Sequence, residues 1–514
     1  MIGARLLCSG CGTEVAWHTP LPWRCPQAHV RTRFDGIDPA RSNGIDPARS
    51  DAIDHVLQRH VAAPLGMPDD PIATHEPLPF VRFRERLFSY HRAIAAGMND
   101  ADFVALVRTL DARTAAVDGV GFRQTPLLRS AALAARLGLP EKSALWCKDE
   151  TENVSGSHKG RHLFGLLLEI LVDEALQSGR SLLAVADDPA AATRPLAIAS
   201  CGNAALAAAV LARAAQRRLQ VFIPPTAPAS VQARLRALGA EVTICARPLQ
   251  PAAQDADAPP GDPTYHAFLA AVAGGALPFC CQGPDNGLTI QGGQTIVYEL
   301  LASLGSRRAR LRHLFVQVGG GALFSAVAAA LDEAVQSGVL PTRPQLYAVQ
   351  TQTCAPLFRA YERLLQHASQ LPPAWDPRPT GPTTFPDGAA RLLMQPARRA
   401  QALHFARQHR AQFMWPWTYV GEPHSLAHGI LDDETYDWAA ALQGLAIAGG
   451  YPVLVSEPDL AQAQAAARAA GFSRVDATGA AGLAGLIAAA RDTAFLSSIH
   501  NGDDVAVLWT GAER

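Results

Sequence analysis

From about residue 140 onward the chain alternates two kinds of segment. Short apolar runs bounded by Gly, Pro, Ser or Asn read as buried strands, at 144–148, 196–199, 219–223, 241–245, 314–318, 345–349, 452–455 and 504–509. Between them, Ala-rich stretches predict helices near 160–177, 203–217, 228–238, 290–304, 322–336, 434–448, 459–471 and 478–491. Strand and helix alternating over this length predicts an α/β fold with mostly parallel sheets covered on both faces. Ligands of such sheets bind beyond the carboxyl ends of the strands, so the turns that follow strands are where chemistry is expected.

Three regions depart from the alternation. Residues 246–262, rich in Pro, Ala and Asp, read as a loop. Residues 369–417 carry many Pro and Arg before Trp415-Pro416-Trp417, and read as a surface insertion, a cover over a site or an oligomer contact. Residues 1–60 hold Cys8-x2-Cys11, Cys25 and His29, then the run Gly36–Ser42, repeated identically as Gly44–Ser50. One tandem copy is too few for a solenoid, so it reads as a duplicated linker. The expected organisation is a Cys-containing segment and linker (1–60), an arm and the start of a large domain (61–165), a small α/β domain (166–285) and the rest of the large domain (286–514). The arm includes Pro77-Leu78-Pro79-Phe80 and a helical stretch over 100–113. A length of 514 residues fits about three or four domain-sized units.

Composition narrows the partners. Lys plus Arg is 45 against 46 for Asp plus Glu, which excludes a nucleic-acid binder working through a general basic field. No apolar run reaches the ~18 residues of a membrane span. The start, Met1-Ile2-Gly3-Ala4-Arg5, lacks the pattern of a secretory signal. Nine scattered cysteines do not make a disulfide scaffold. The expectation is a reduced, cytoplasmic protein acting on a small molecule.

Four turns carry candidate chemistry. Ser155-Gly156-Ser157-His158-Lys159-Gly160-Arg161 precedes a long apolar helix. A helix start disfavours a cation, and only a neutral amine attacks a carbonyl to form a Schiff base. Ser200-Cys201-Gly202-Asn203 follows a strand and opens a helix, bringing hydroxyl, amide and backbone donors together as a carboxylate requires. Gly319-Gly320-Gly321-Ala322-Leu323 follows another strand, and its bare backbone suits a phosphate. Thr510-Gly511 follows the last strand. Each alone has a bland explanation: a solvated lysine, an N-cap, a tight turn, a strand threonine.

Together, and in this order with Thr125-Pro126-Leu127 and Lys148-Asp149-Glu150, they resemble the fold-type II pyridoxal-phosphate enzymes, particularly the threonine synthase branch. The resemblance spans about residues 120–514 and takes in Gly292-Gly293-Gln294-Thr295, Tyr298-Glu299, Val349-Gln350, Ala355-Pro356-Leu357, Ser456-Glu457 and 479–484. It implies two open α/β domains with the cofactor in the cleft between them. Lys159 would be the Schiff-base lysine and the base for the substrate's α-proton. Asn203 would partner the cofactor's phenolic oxygen. Ser200, Cys201 and Gly202 would hold the substrate carboxylate, Gly319, Gly320, Gly321, Ala322 and Leu323 the cofactor phosphate, and Thr510 the pyridine nitrogen. A neutral hydroxyl there leaves the ring a weaker electron sink than an Asp would. The implied activity is elimination or replacement at Cβ or Cγ of a small amino acid or its phosphoester. Deamination of serine or threonine is the alternative, and a non-catalytic cofactor- or phosphate-binding regulator is the reading from another class. A phosphoester would need extra cationic donors, which the Arg-rich segment 391–410 could supply.

Where threonine synthases typically read Ser-Phe-Lys-Asp-Arg, this chain reads Ser157-His158-Lys159-Gly160-Arg161. A His before the lysine is more similar to the tryptophan synthase β-chain, which would put His158 near the cofactor phosphate or leave it a packing histidine. Cys201 stands where Ser or Ala is usual and reads as a small buried hydrophobe. Some threonine synthase-like chains begin with a zinc-ribbon-like segment. Here Cys8, Cys11, Cys25 and His29 would be the four ligands of a structural zinc ion, or a ribbon that has lost its metal. The arm of such enzymes often contacts a second subunit, which implies a homodimer.

Overall fold

The computed structural model describes residues 3–28, 53–66, 76–188, 193–247, 261–371, 392–419 and 423–513. The chain opens with β1 (Ala4–Cys8), which pairs antiparallel with β2 (Glu14–Val15) and β3 (Leu57–Val61). Ala4, Leu6 and Cys8 alternate inward along β1, the period of two that a half-buried strand requires. The helix Phe88–Ala95 shares their apolar cluster. Next the helix Asp100–Asp118 starts at a capping box between Asn99 and Asp102.

Two open sheets follow. β4 (Leu127–Arg129) and β5 (Leu145–Asp149) begin the larger one, and the chain then leaves to build a smaller one. That smaller sheet contains β6 (Leu196–Ala199), β7 (Leu219–Ile223), β8 (Glu241–Ile244) and β9 (Leu277–Pro278), all parallel in the order β8-β7-β6-β9. The chain returns with β10 (Leu311–Gln317), β11 (Gln345–Thr351), β12 (Tyr451–Val455) and β13 (Asp504–Trp509). The larger sheet runs β12-β11-β10-β13-β5-β4 and is parallel except for β4. β6 and β13 are buried along their whole length, which is why they read as continuous apolar runs. The α/β fold with two open, mostly parallel sheets is as expected.

All eight expected strands form, and the differences have local causes. β10 begins at Leu311, before the apolar run, because the buried His313 bonds the Tyr347 hydroxyl at 3.0 Å instead of ending the strand. β4 and β9 are too short to show as apolar runs. The helix expected from 434 starts at Trp438, since 434–437 wraps the glycine turn after β10. Residues 369–417, expected to be irregular, contain the helix Pro396–Gln408, opened by a proline in its first turn. Residues 372–391, most of the 246–262 loop, the duplicated run and His29 lie outside the described residues. No described helix is long and apolar enough to cross a membrane.

The helix Lys159–Ser178 runs through the core, with Leu163 to Val172 all buried. It meets the helix Thr289–Leu304 at backbone contact. A Cβ on Gly292 would lie 2.1 Å from the Arg161 carbonyl oxygen, and one on Gly293 2.2 Å from the His162 ring. Gly292-Gly293 therefore sets how closely the two helices approach.

A buried ionic cluster ties the start of this helix to the larger sheet. The Glu299 carboxylate receives Lys148 Nζ at 2.6 Å and Arg161 Nη1 and Nη2 at 2.8 and 2.9 Å. Glu150 receives Arg161 Nε at 2.7 Å. All four side chains are at most 1% exposed. Burial pushes the Lys148 ammonium below its usual range against the pull of Glu299. Burial would raise Glu150, but Arg161 and Lys148 outweigh it and hold the carboxyl at about 2.

Candidate active site

Beyond the carboxyl ends of both sheets lies a cavity of about 380 Å³. The turn after β6 supplies Ser200, Cys201, Gly202 and Asn203. The turn after β10 supplies Gly319, Gly320, Gly321, Ala322 and Leu323. The end of β13 supplies Thr510, and the start of the core helix supplies His158 and Lys159. These residues, far apart in the chain, share one enclosure because parallel strands all deliver their turns to the same edge.

Lys159 is half-buried at the wall. The turn before it is stitched to the end of β13. The His158 N–H donates to the Thr510 carbonyl at 3.3 Å, and His158 Nδ1 lies 3.1 Å from the same oxygen. A carbonyl only accepts, so Nδ1 carries the hydrogen and Nε2 is left as an acceptor, buried and without a partner among the described residues. Burial, then the neighbouring Lys159 charge, pushes the imidazole well below its usual range, so it is neutral at pH 7. A neutral ring with Nε2 as acceptor receives a donor more readily than a phosphate oxygen.

Thr510 is held by a residue that the sequence reading passed over. Gln317, the last residue of β10, donates from Nε2 to Thr510 Oγ1 at 2.5 Å and lies 2.9 Å from the Gly479 carbonyl. The Thr510 oxygen thus accepts, and its own hydrogen is available to the cavity. A polar side chain ending an apolar strand just before a glycine turn was the available signal.

The glycine turn has no room for side chains. A Cβ on Gly319 would lie 2.3 Å from Asp432 Oδ2, and one on Gly320 2.8 Å from the Tyr436 ring. Gly321 has φ of 95°, which favours glycine. From outside, Thr435 Oγ1 donates to the Gly319 carbonyl and the Asp437 N–H to the Gly320 carbonyl, both at 3.0 Å. Asp432 accepts the Gly320 N–H. Burial raises its carboxyl to about 6, against the lowering effect of Lys159. Asp432 was also missed; it sits in a short acidic run that reads as a solvated surface.

On the opposite wall, Asn203 is the first residue of the helix Asn203–Ala214. A Cβ on Gly511 would lie 2.7 Å from Asn203 Nδ2, so glycine after Thr510 lets the amide reach over the end of β13. Cys201 lines the cavity, and burial, with the Asp432 and Asp262 charges adding, pushes its thiol up to about 11. It is a protonated thiol at neutral pH, in keeping with a packing role.

One expectation needs correction. The arginines described within 391–410 point elsewhere: Arg398 donates to the Ala368 carbonyl, Arg407 to Gln443 and Arg410 to Glu434. None of them lines the cavity; Arg247 does, and it donates to Asp433 at 2.8 Å. At the N-terminus, Cys8, Cys11 and Cys25 come together with His55; His29, the expected fourth ligand, lies outside the described residues. Pairing of Cys8 opposite Leu57 in the β1–β3 ladder draws residue 55 beside the first thiol.

A family model described as pyridoxal-phosphate dependent enzyme matches residues 120–511. Among solved structures, a pyridoxal 5'-phosphate-dependent aspartate racemase superposes with a TM-score of 0.50 at 16% identity, over 80% of this chain and 95% of that one. The processed form of threonine deaminase isoform 2 from Solanum lycopersicum gives 0.49 at 17% identity, over 81% and 91%. An L-serine ammonia-lyase from Rhizomucor miehei gives 0.49 at 18%, over 76% and 94%. Likeness at these identities concerns the fold alone. No curated protein matches the chain.

Proposed function

The chain belongs to the family of pyridoxal-phosphate dependent enzymes, of fold type II, and on that premise we propose that it catalyses elimination or replacement on a small amino acid. The observation that carries the reading is Lys159, which opens into one cavity with the bare glycine turn, Asn203 and the Thr510 hydroxyl. The donor set fits the cofactor. The glycines 319–321 leave no room for a Cβ against the segment 430–437, which keeps the turn's backbone bare, and one of its amides already binds an anionic oxygen, that of Asp432.

When bound, pyridoxal phosphate supplies an aldehyde for amines and an electron-withdrawing ring that eases loss of a group next to the amino acid's α-carbon. Lys159 Nζ would hold the aldehyde and would serve as the base for the substrate's α-proton. The amides of 319–323 would hold the phosphate. Asn203 Nδ2 would donate to the phenolic oxygen, and the Thr510 hydroxyl, backed by Gln317, would donate to the ring nitrogen. Ser200, Cys201 and Gly202 orient the substrate carboxylate at a helix start. Because Thr510 does not enforce a charged ring, proton removal coupled to departure of a leaving group is favoured over reactions that keep a long-lived carbanion.

The cavity wall favours an unphosphorylated substrate. Asp262 and Asp432 line it, and Arg247 is engaged by Asp433. A phosphoester would meet two carboxylates and find its one arginine occupied, so deamination of a serine- or threonine-type amino acid is the preferred form over a threonine synthase reaction on a phosphoester. The test is a substrate panel with the cofactor-loaded chain, read by keto acid, ammonia and phosphate release. Ammonia and keto acid from hydroxy amino acids are expected, with both turnover and the visible band of the bound cofactor lost in Lys159→Ala. Turnover that survives Lys159→Ala, or a chain that releases nothing from any amino acid, defeats the reading.

A further inference from the structure

Three thiols and one imidazole meet at the start of the chain, far along the sequence from the cavity. Cys8 Sγ lies 3.6 Å from His55 Nδ1, and Cys11 Sγ lies 3.6 Å from Cys25 Sγ. All four ligand atoms fall within 4.8 Å of one another. Two sulfurs each about 2.3 Å from a tetrahedral zinc ion stand about 3.8 Å apart, so the two 3.6 Å edges are close to those that three sulfurs and one nitrogen make around zinc. No disulfide joins the thiols, and 3.6 Å is far beyond a bonded S–S distance.

The backbone around the cluster is arranged for thiolates. Cys8 sulfur receives the amides of Gly10 and Cys11. Cys11 sulfur receives the amide of Thr13, and Cys25 sulfur the amide of Gln27 at 3.4 Å. Such N–H donors to each sulfur are the outer support that fixes metal-bound thiolates. Soft sulfur with imidazole in a tetrahedron selects zinc among common divalent ions.

We propose that Cys8, Cys11, Cys25 and His55 bind one zinc ion, and that this ion braces the cofactor cradle through the residue next to His55. Asp54 receives Arg410 Nε at 3.0 Å and Trp438 Nε1 at 2.6 Å. Arg410 in turn pairs with buried Glu434. Glu434 opens the segment 434–437, whose Thr435 and Asp437 hold the carbonyls of Gly319 and Gly320. Gly10, inside the Cys8–Cys11 knuckle, packs so tightly on segment 53–54 that a Cβ would lie 2.4 Å from the Asp54 carbonyl oxygen. Zinc therefore fixes Asp54 from both sides, by the knuckle and by His55.

Elemental analysis of the purified, cofactor-loaded full chain tests the site, together with the visible spectrum of the cobalt-substituted chain. We expect about one zinc per chain, an at least roughly tenfold loss in His55→Ala and Cys11→Ser, an unchanged content in His29→Ala, and tetrahedral thiolate bands with cobalt. Zinc retained by His55→Ala, lost equally from His29→Ala, or absent from the unaltered chain overturns it. Asp54→Ala tests the brace separately, because it leaves every ligand in place. It should keep its zinc yet release the cofactor several-fold faster than the unaltered chain. An unchanged release rate overturns the bracing role.

Discussion

Replacing Glu299 with leucine removes one anion from a buried cluster that holds two cations and two anions. The lost carboxylate accepts four hydrogen bonds: Lys148 Nζ at 2.6 Å, two from Arg161 at 2.8 and 2.9 Å and the Thr125 N–H at 3.1 Å, while the Thr125 hydroxyl donates its one hydrogen to Glu150 at 2.5 Å. Water cannot take its place, since Lys148 and Arg161 are 0% exposed. Breaking a buried pair by removing one partner leaves an uncompensated charge and costs about 3–5 kcal/mol. Truncating Lys148 as well, in Glu299→Leu with Lys148→Met, restores the charge balance of Arg161 with Glu150. The double variant should then lose less than the sum of the two singles, by about 1–3 kcal/mol. Urea unfolding followed by far-UV circular dichroism measures all three. A second readout is cofactor retention, because Arg161 lies on the first turn of the helix that carries Lys159. A loss below about 1 kcal/mol for Glu299→Leu, or strict additivity in the double variant, would refute the claim that this cluster is a closed, water-free ionic unit.

Other consequences are equally direct. Asp432 has its carboxyl raised to about 6 by burial from an ordinary 3.8, so the folded chain binds more protons than the unfolded one between those values. Stability from this group is present at low pH and is lost as pH rises through that window, by at most about 3 kcal/mol and less where cavity water screens it. Asp432→Asn should flatten the stability profile between about pH 4 and 6 and tighten inorganic phosphate binding to the glycine turn; a profile identical to the unaltered chain counts against it. Glu150 works in the opposite sense: held at about 2 against an ordinary 4.5, it contributes stability above 4.5 that is lost as pH falls towards 2. In Glu150→Gln this acid-induced loss should shrink, read by unfolding titrations at several pH values. Gly511→Ala should push Asn203 off the end of β13, since the new methyl would sit 2.7 Å from its amide nitrogen. Its expected signature is a shifted cofactor spectrum with little change in thermal stability; an unchanged spectrum would mean that Asn203 does not depend on that glycine.

Local pattern alone determined a good deal. Apolar runs bounded by turn residues marked eight strands of the two open sheets, most plainly β6 and β13, because a strand covered on both faces must be apolar along its length. Their alternation with helices implied that the turns after β6, β10 and β13 would converge, and Lys159, Asn203, the glycines and Thr510 do share one cavity. Tertiary structure decided what depends on partners distant in sequence. Gln317 shows locally only as a polar residue ending an apolar strand and Asp432 only as part of a short acidic run; they acquire meaning once β10, β13 and the segment before Trp438 are packed together. The arginines of 391–410 looked available as a run, yet folding commits them to backbone carbonyls and carboxylates elsewhere. His55 stands far from Cys8, Cys11 and Cys25 along the chain, but a ligand set is a matter of space, and the β1–β3 register brings it beside Cys8. Periodicity is a property of neighbours in sequence, whereas hydrogen bonds and ligand geometry are properties of neighbours in space, and only the folded chain defines those.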